Sequence, residues 1–66
     1  MRITYHNNDG TVRTVYCNVT VTNNITGLQA AKILRPNDKF VEVTIEYNNI
    51  IVKYSKEQVL EGIKVK

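Results

Sequence analysis

The segment Phe40-Val41-Glu42-Val43-Thr44-Ile45-Glu46-Tyr47-Asn48-Asn49-Ile50-Ile51-Val52-Lys53-Tyr54 decides how this chain folds. Val41, Val43, Ile45 and Tyr47 alternate with Glu42, Thr44 and Glu46, the period-2 pattern of a half-buried strand. A two-residue turn at Asn48-Asn49 pairs Tyr47 with Ile50, Ile45 with Val52 and Val43 with Tyr54. Every one of those pairs is apolar and lies on one face, so turn length and hydrophobic register agree. Asparagine tolerates positive φ better than other residues that carry a Cβ, which suits it to such a turn.

Upstream, Met1–His6 reads as a short strand with Ile3 and Tyr5 on one face. Asn7-Asn8-Asp9-Gly10 reads as a turn, in which Gly10 supplies positive φ. Thr11–Thr22 then reads as a long strand rich in β-branched residues. Val15, Cys17, Val19 and Val21 share one of its faces, and Val12, Thr14 and Tyr16 the other. That change of apolar face predicts a bulge or bend near Arg13-Thr14.

The segment from Asn23 to Pro36 has two readings. Thr26-Gly27-Leu28-Gln29 matches a capping box, and Ile25, Leu28, Ala31 and Leu34 recur at helical spacing, which favours a short helix over 26–35. A strand from Ala31 to Arg35, turning at Pro36-Asn37-Asp38-Lys39, competes with it. Arg35-Pro36 ends a helix in the first reading, because the residue before proline avoids the α region.

After Tyr54, Ser55-Lys56-Glu57-Gln58 is a second capping box, with Gly62 as its stop. Ile63 and Val65 alternate with Lys64 and Lys66 as a final edge strand. The expected class is therefore α+β, mainly antiparallel β, in a single domain over residues 1–66. It has two β-hairpins and a short final strand, with one short helix and one helical turn. The last third, a hairpin followed by a helical turn and a short strand, resembles the close of an SH3-like small, partly open barrel. It carries none of the aromatic or proline-binding motifs of SH3 domains, so the resemblance implies an architecture and no ligand.

A chain of 66 residues buries only about 60% of its unfolded surface, so its stability margin is thin. Cys17 is the only cysteine, which excludes an internal disulfide and fits a reducing, cytoplasmic setting. One Cys and one His cannot complete a structural zinc site in a monomer. An economical apolar core or oligomerisation remains as the route to stability, and a homodimer is expected. The first residues contain no apolar run of signal-peptide length, and no stretch is long enough to span a membrane. The sequons at Asn18 and Asn24 are read as chance matches in a chain rich in Asn and Thr. Heavy use of Asn, Ile, Lys and Thr suggests an AT-rich bacterial or phage source.

No catalytic residues, cofactor or metal are expected. His6 is the only imidazole and Ser55 the only serine, far apart in sequence, while Cys17 reads as a small buried hydrophobe. Glu42 and Glu46 read as a solvated face, with a diagonal contact between Glu46 and Lys53. Nucleic-acid binding has rings to draw on, but the net charge of +3 is spread along the chain and forms no basic stripe. The expectation is a non-enzymatic protein-binding module, of phage or mobile-element type, that docks on a host protein. A weak nucleic-acid-binding small β-barrel is the alternative. Partner contacts are expected at Tyr16, Ile51, Lys53, Lys64 and Lys66. A patch of Ile25, Leu28 and Ile33, and the exposed strand edges, offer further contact surface.

Overall fold

A computed structural model describes residues 1–18 and 23–61, and it contains the hairpin of Phe40–Tyr54. β3 (Phe40–Tyr47) and β4 (Ile50–Ser55) pair antiparallel in the expected register, Tyr47 with Ile50, Ile45 with Val52 and Val43 with Tyr54. Asn48 and Asn49 both adopt positive φ, 48° and 65°. That is the backbone of a type I′ turn, whose twist matches the flanking strands.

β1 (Arg2–Asn7) and β2 (Val12–Tyr16) form the first hairpin, closed through Gly10 at a φ of 88°. Asp9 accepts hydrogen bonds from the Thr11 backbone N–H at 2.9 Å and the Thr11 hydroxyl at 2.6 Å. β1 also pairs antiparallel with β3, giving a four-stranded sheet ordered β2-β1-β3-β4. The two hairpins thus meet through their first strands, and among the described residues β2 and β4 form the edges of an open sheet. The antiparallel α+β architecture is as expected. The described sheet does not close into an SH3-like barrel, because the first strands of the hairpins pair with each other and leave the second strands apart. The final strand expected at Ile63–Val65 lies outside the described residues, as do Val19 and Val21.

A bulge is present, though elsewhere than expected. Between β1 and β3 the register runs His6 with Glu42 and then Asn7 with Phe40, so Val41 is the extra residue. The consequence is a change of face: Phe40 is fully buried, and Val41 is 51% exposed. Simple alternation puts Val41 in the core instead. β2 needs no bulge at Arg13-Thr14, since the strand ends at Tyr16 and simply leaves Val12 exposed on the side away from the helices. Cys17 lies past that strand and is half-buried, less enclosed than the sequence suggested. Its backbone is tied to Met1 by two bonds, N–H to carbonyl at 2.9 Å and terminal ammonium to carbonyl at 3.0 Å.

α1 (Asn24–Leu34) settles the ambiguous segment as helix. Its cap is Asn23, three residues before the expected Thr26: the Asn23 side-chain oxygen accepts from the Thr26 N–H at 2.9 Å. Asparagine is among the strongest N-caps, and it adds a first turn to the helix. Arg35 turns to ψ 131°, as a residue before proline must. α2 (Lys56–Glu61) begins with the expected capping box, Ser55 N–H donating to Gln58 at 2.9 Å and Gln58 N–H to the Ser55 hydroxyl at 3.3 Å.

Both helices cover one side of the sheet. Leu28 and Ala31 from α1 and Val59 from α2 pack on Ile3, Tyr5, Val43, Ile45 and Tyr54. Tyr5 is wholly buried, meets Phe40 edge to face at 5.4 Å between ring centres, and donates its hydroxyl to the Ala31 carbonyl at 2.7 Å. Burial pushes its phenol up to about 12. Lys56 closes the rim, donating to the Asp38 carbonyl with its ammonium 5.7 Å from the Phe40 ring centre.

Candidate functional site

With both helices on one side, the other face of the sheet carries, among the described residues, β-strand side chains alone. Burial of Ile3 and Tyr5 turns Arg2, Thr4 and His6 of β1 the opposite way. On β3 the same alternation turns out Glu42, Thr44 and Glu46. The edges contribute Val12, Thr14 and Tyr16 from β2, and Ile51, Lys53 and Ser55 from β4.

Register sorts these side chains into rows that cross the sheet. The first runs Tyr16, Arg2, Glu46, Ile51; the second Thr14, Thr4, Thr44, Lys53; the third Val12, His6, Glu42, Ser55. The first row is the most distinctive. Tyr16 is 74% exposed and Ile51 63% exposed at its two ends, and Arg2 forms an ion pair with Glu46 between them. The carboxylate raises the pKa of the Arg2 guanidinium, first by hydrogen bonding and then by its charge. Beside this row a shallow open depression of about 570 Å³ runs from Met1 and Tyr16 past Tyr47 to the Asn48-Asn49 turn.

The expected partner residues fall out unevenly. Tyr16, Ile51 and Lys53 are brought to this one face, although they come from opposite edges of the sheet. Lys64 and Lys66 lie outside the described residues. The expected diagonal between Glu46 and Lys53 gives way to the pair with Arg2, because β1 sits on the other flank of β3 and offers a guanidinium directly opposite. Arg2 and Val12 were missed as contributors. The alternation that exposed Glu46 was readable, but which strand lies beside β3 was not.

The groups that catalysis would need are each engaged separately. His6 Nε2 is 2.9 Å from the Thr44 hydroxyl, Asp9 holds its own turn, and the Ser55 hydroxyl caps α2. Bonds from Thr11 hold the Asp9 carboxyl below the usual range. Among the described residues no three His, Cys, Asp or Glu side chains gather as a metal-holding group. No helix among them is long and apolar enough to cross a membrane.

A second concavity, about 240 Å³ and largely apolar, lies between Cys17 and α1, lined by Ala30, Ile33 and Leu34 among others. Of the apolar patch expected on this helix, Leu28 is core, whereas Ile25 is 43% and Ile33 79% exposed. No family model, curated protein or solved structure matches this sequence.

Proposed function

We propose that the protein is a small, non-enzymatic protein-binding module, working in the cytoplasm, whose contact surface is the helix-free face of the sheet. The observation that carries this reading is the first cross-strand row, with an exposed tyrosine and an exposed isoleucine flanking an arginine–carboxylate pair. Aromatic residues and arginine are the types enriched where proteins meet.

Charge balance speaks for a protein partner over a nucleic acid. The cations Arg2 and Lys53 on this face are matched by the carboxylates Glu42 and Glu46. A surface built for phosphates carries an excess of cations, and its affinity drops steeply with salt.

The test is chromatography with light scattering at low and high salt, reading absorbance at two wavelengths, alongside chemical crosslinking. The reading expects protein-only complexes at both salts, lost when Tyr16→Asp and Ile51→Asp are combined. Nucleic acid that co-elutes at low salt and is stripped at high salt would replace it with the small nucleic-acid-binder alternative.

A further inference from the structure

Resting on that docking reading, we infer that the partner of the helix-free face is a second copy of this chain. The two copies stack face to face about a two-fold axis that runs parallel to the strands, between β1 and β3. The cross-strand rows themselves select this arrangement.

An axis in that position lays β1 over the partner's β3 and β2 over the partner's β4, with every row meeting its own counterpart. In the first row Arg2 meets the partner's Glu46, and Glu46 meets the partner's Arg2. With the ion pair inside each chain, these four groups close a ring of alternating charge. Tyr16 then covers the partner's Ile51, so the two most exposed apolar groups of the sheet face bury each other. In the second row Thr4 meets the partner's Thr44, and Lys53 meets an uncharged threonine, the partner's Thr14. In the third, His6 meets the partner's Glu42.

With the strands of the two sheets aligned, the alternative two-fold runs across the strands, and it exchanges the first row with the third. Glu46 would then oppose the partner's Glu42, Arg2 the partner's His6, and Lys53 the partner's Lys53. Like charges set against each other at an interface are costly and exclude wrong arrangements. The first symmetry sets Arg2 and Glu46 against opposite charges and brings no like charges together, whereas the other opposes like charges at the carboxylates and the lysine. Isologous pairing of this kind is the commonest route to a homodimer.

The spacing agrees. Sheets stack about 10 Å apart with strands aligned to within about 30°, a gap that Arg and Glu side chains reach across.

Sedimentation of charge-reversed chains tests the axis. Arg2→Glu sets two carboxylates side by side on one chain, and Glu46→Arg sets two guanidinium groups side by side on the other. Wild type is expected to dimerise, and each variant alone to dissociate at least about tenfold more readily. Mixed in equal amounts, the two variants are expected to form a heterodimer. The double swap in one chain, Arg2→Glu with Glu46→Arg, restores the alternation and is expected to dimerise like wild type, which controls for either single variant failing to fold. A wild-type dimer indifferent to both single variants, or variants rescued neither by mixing nor by the double swap, would overturn the inference. So would a wild-type monomer; in that case, capture of another protein that Tyr16→Asp with Ile51→Asp abolishes would leave the docking reading standing.

Discussion

Arg2 and Glu46 lie directly opposite each other on the two central strands and form an ion pair midway between Tyr16 and Ile51. Both are substantially exposed in the single chain, where water screens such pairs and leaves them little effect on stability. Glu46→Gln is therefore expected to leave the urea midpoint of the dilute protein essentially unchanged, while reducing the dimer fraction at high concentration. A large loss of stability in the dilute monomer would show the pair to be a structural clasp.

Two core tyrosines should respond oppositely to loss of their hydroxyls. Tyr5 donates to the Ala31 carbonyl in full burial, so Tyr5→Phe strands an acceptor and is expected to cost about 1–2 kcal/mol in urea unfolding. The Tyr54 hydroxyl is buried without a hydrogen-bond partner among the described residues. Tyr54→Phe is expected to be neutral or to stabilise by up to about 1 kcal/mol. A clear loss in that variant would point to a partner for the hydroxyl elsewhere in the chain.

Alkaline pH should weaken the fold through the same side chains. An unfolded tyrosine ionises near pH 10, whereas burial holds folded Tyr5 at about 12. Below pH 10 both states keep the proton and the contribution of Tyr5 is complete. Between pH 10 and 12 only the unfolded chain loses it, so stability falls, by about 2–3 kcal/mol over that window. Tyr54, also raised by burial, adds to the fall in the same direction. Urea titrations across that range should show the decline, and Tyr5→Phe should remove most of it.

The Asn48-Asn49 turn can be improved. Both residues sit at positive φ, and glycine occupies the second such position of a type I′ turn with less strain than asparagine. Asn49→Gly is expected to gain about 0.5 kcal/mol, a rise of a few degrees in Tm. Asn49→Ala, with no side-chain amide to support the left-handed region, should lose about 1 kcal/mol. Equal Tm values for all three chains would mean that the turn is not under this strain.

Local chemistry made part of this fold legible. The hairpin register followed from alternation and a two-residue turn, and the start of α2 from Ser55 and Gln58. What escaped was non-local. The pairing of β1 with β3 brings Arg2 to Glu46 across most of the chain length, and no short-range pattern records that. The same pairing carries the bulge at Val41, which moves Phe40 into the core against the simple alternation of its own strand. At α1 the helix was readable but its cap was not, since Asn23 and Thr26 both have the chemistry and only the position of the preceding chain decides between them. Of the residues expected to contact a partner, Ile51 and Lys53 share a face by alternation along their own strand, and only the sheet order shows that Tyr16 joins them.

The most direct test of the helix-free face as the contact surface is a concentration series of two-dimensional amide NMR spectra. Shifts that grow with concentration are expected at Arg2, Thr4, Tyr16, Thr44, Glu46 and Ile51, with those of α1 and α2 unmoved. Shifts centred on Cys17, Ile33 and Leu34, with a silent sheet face, would contradict it and move the contact to the groove beside α1.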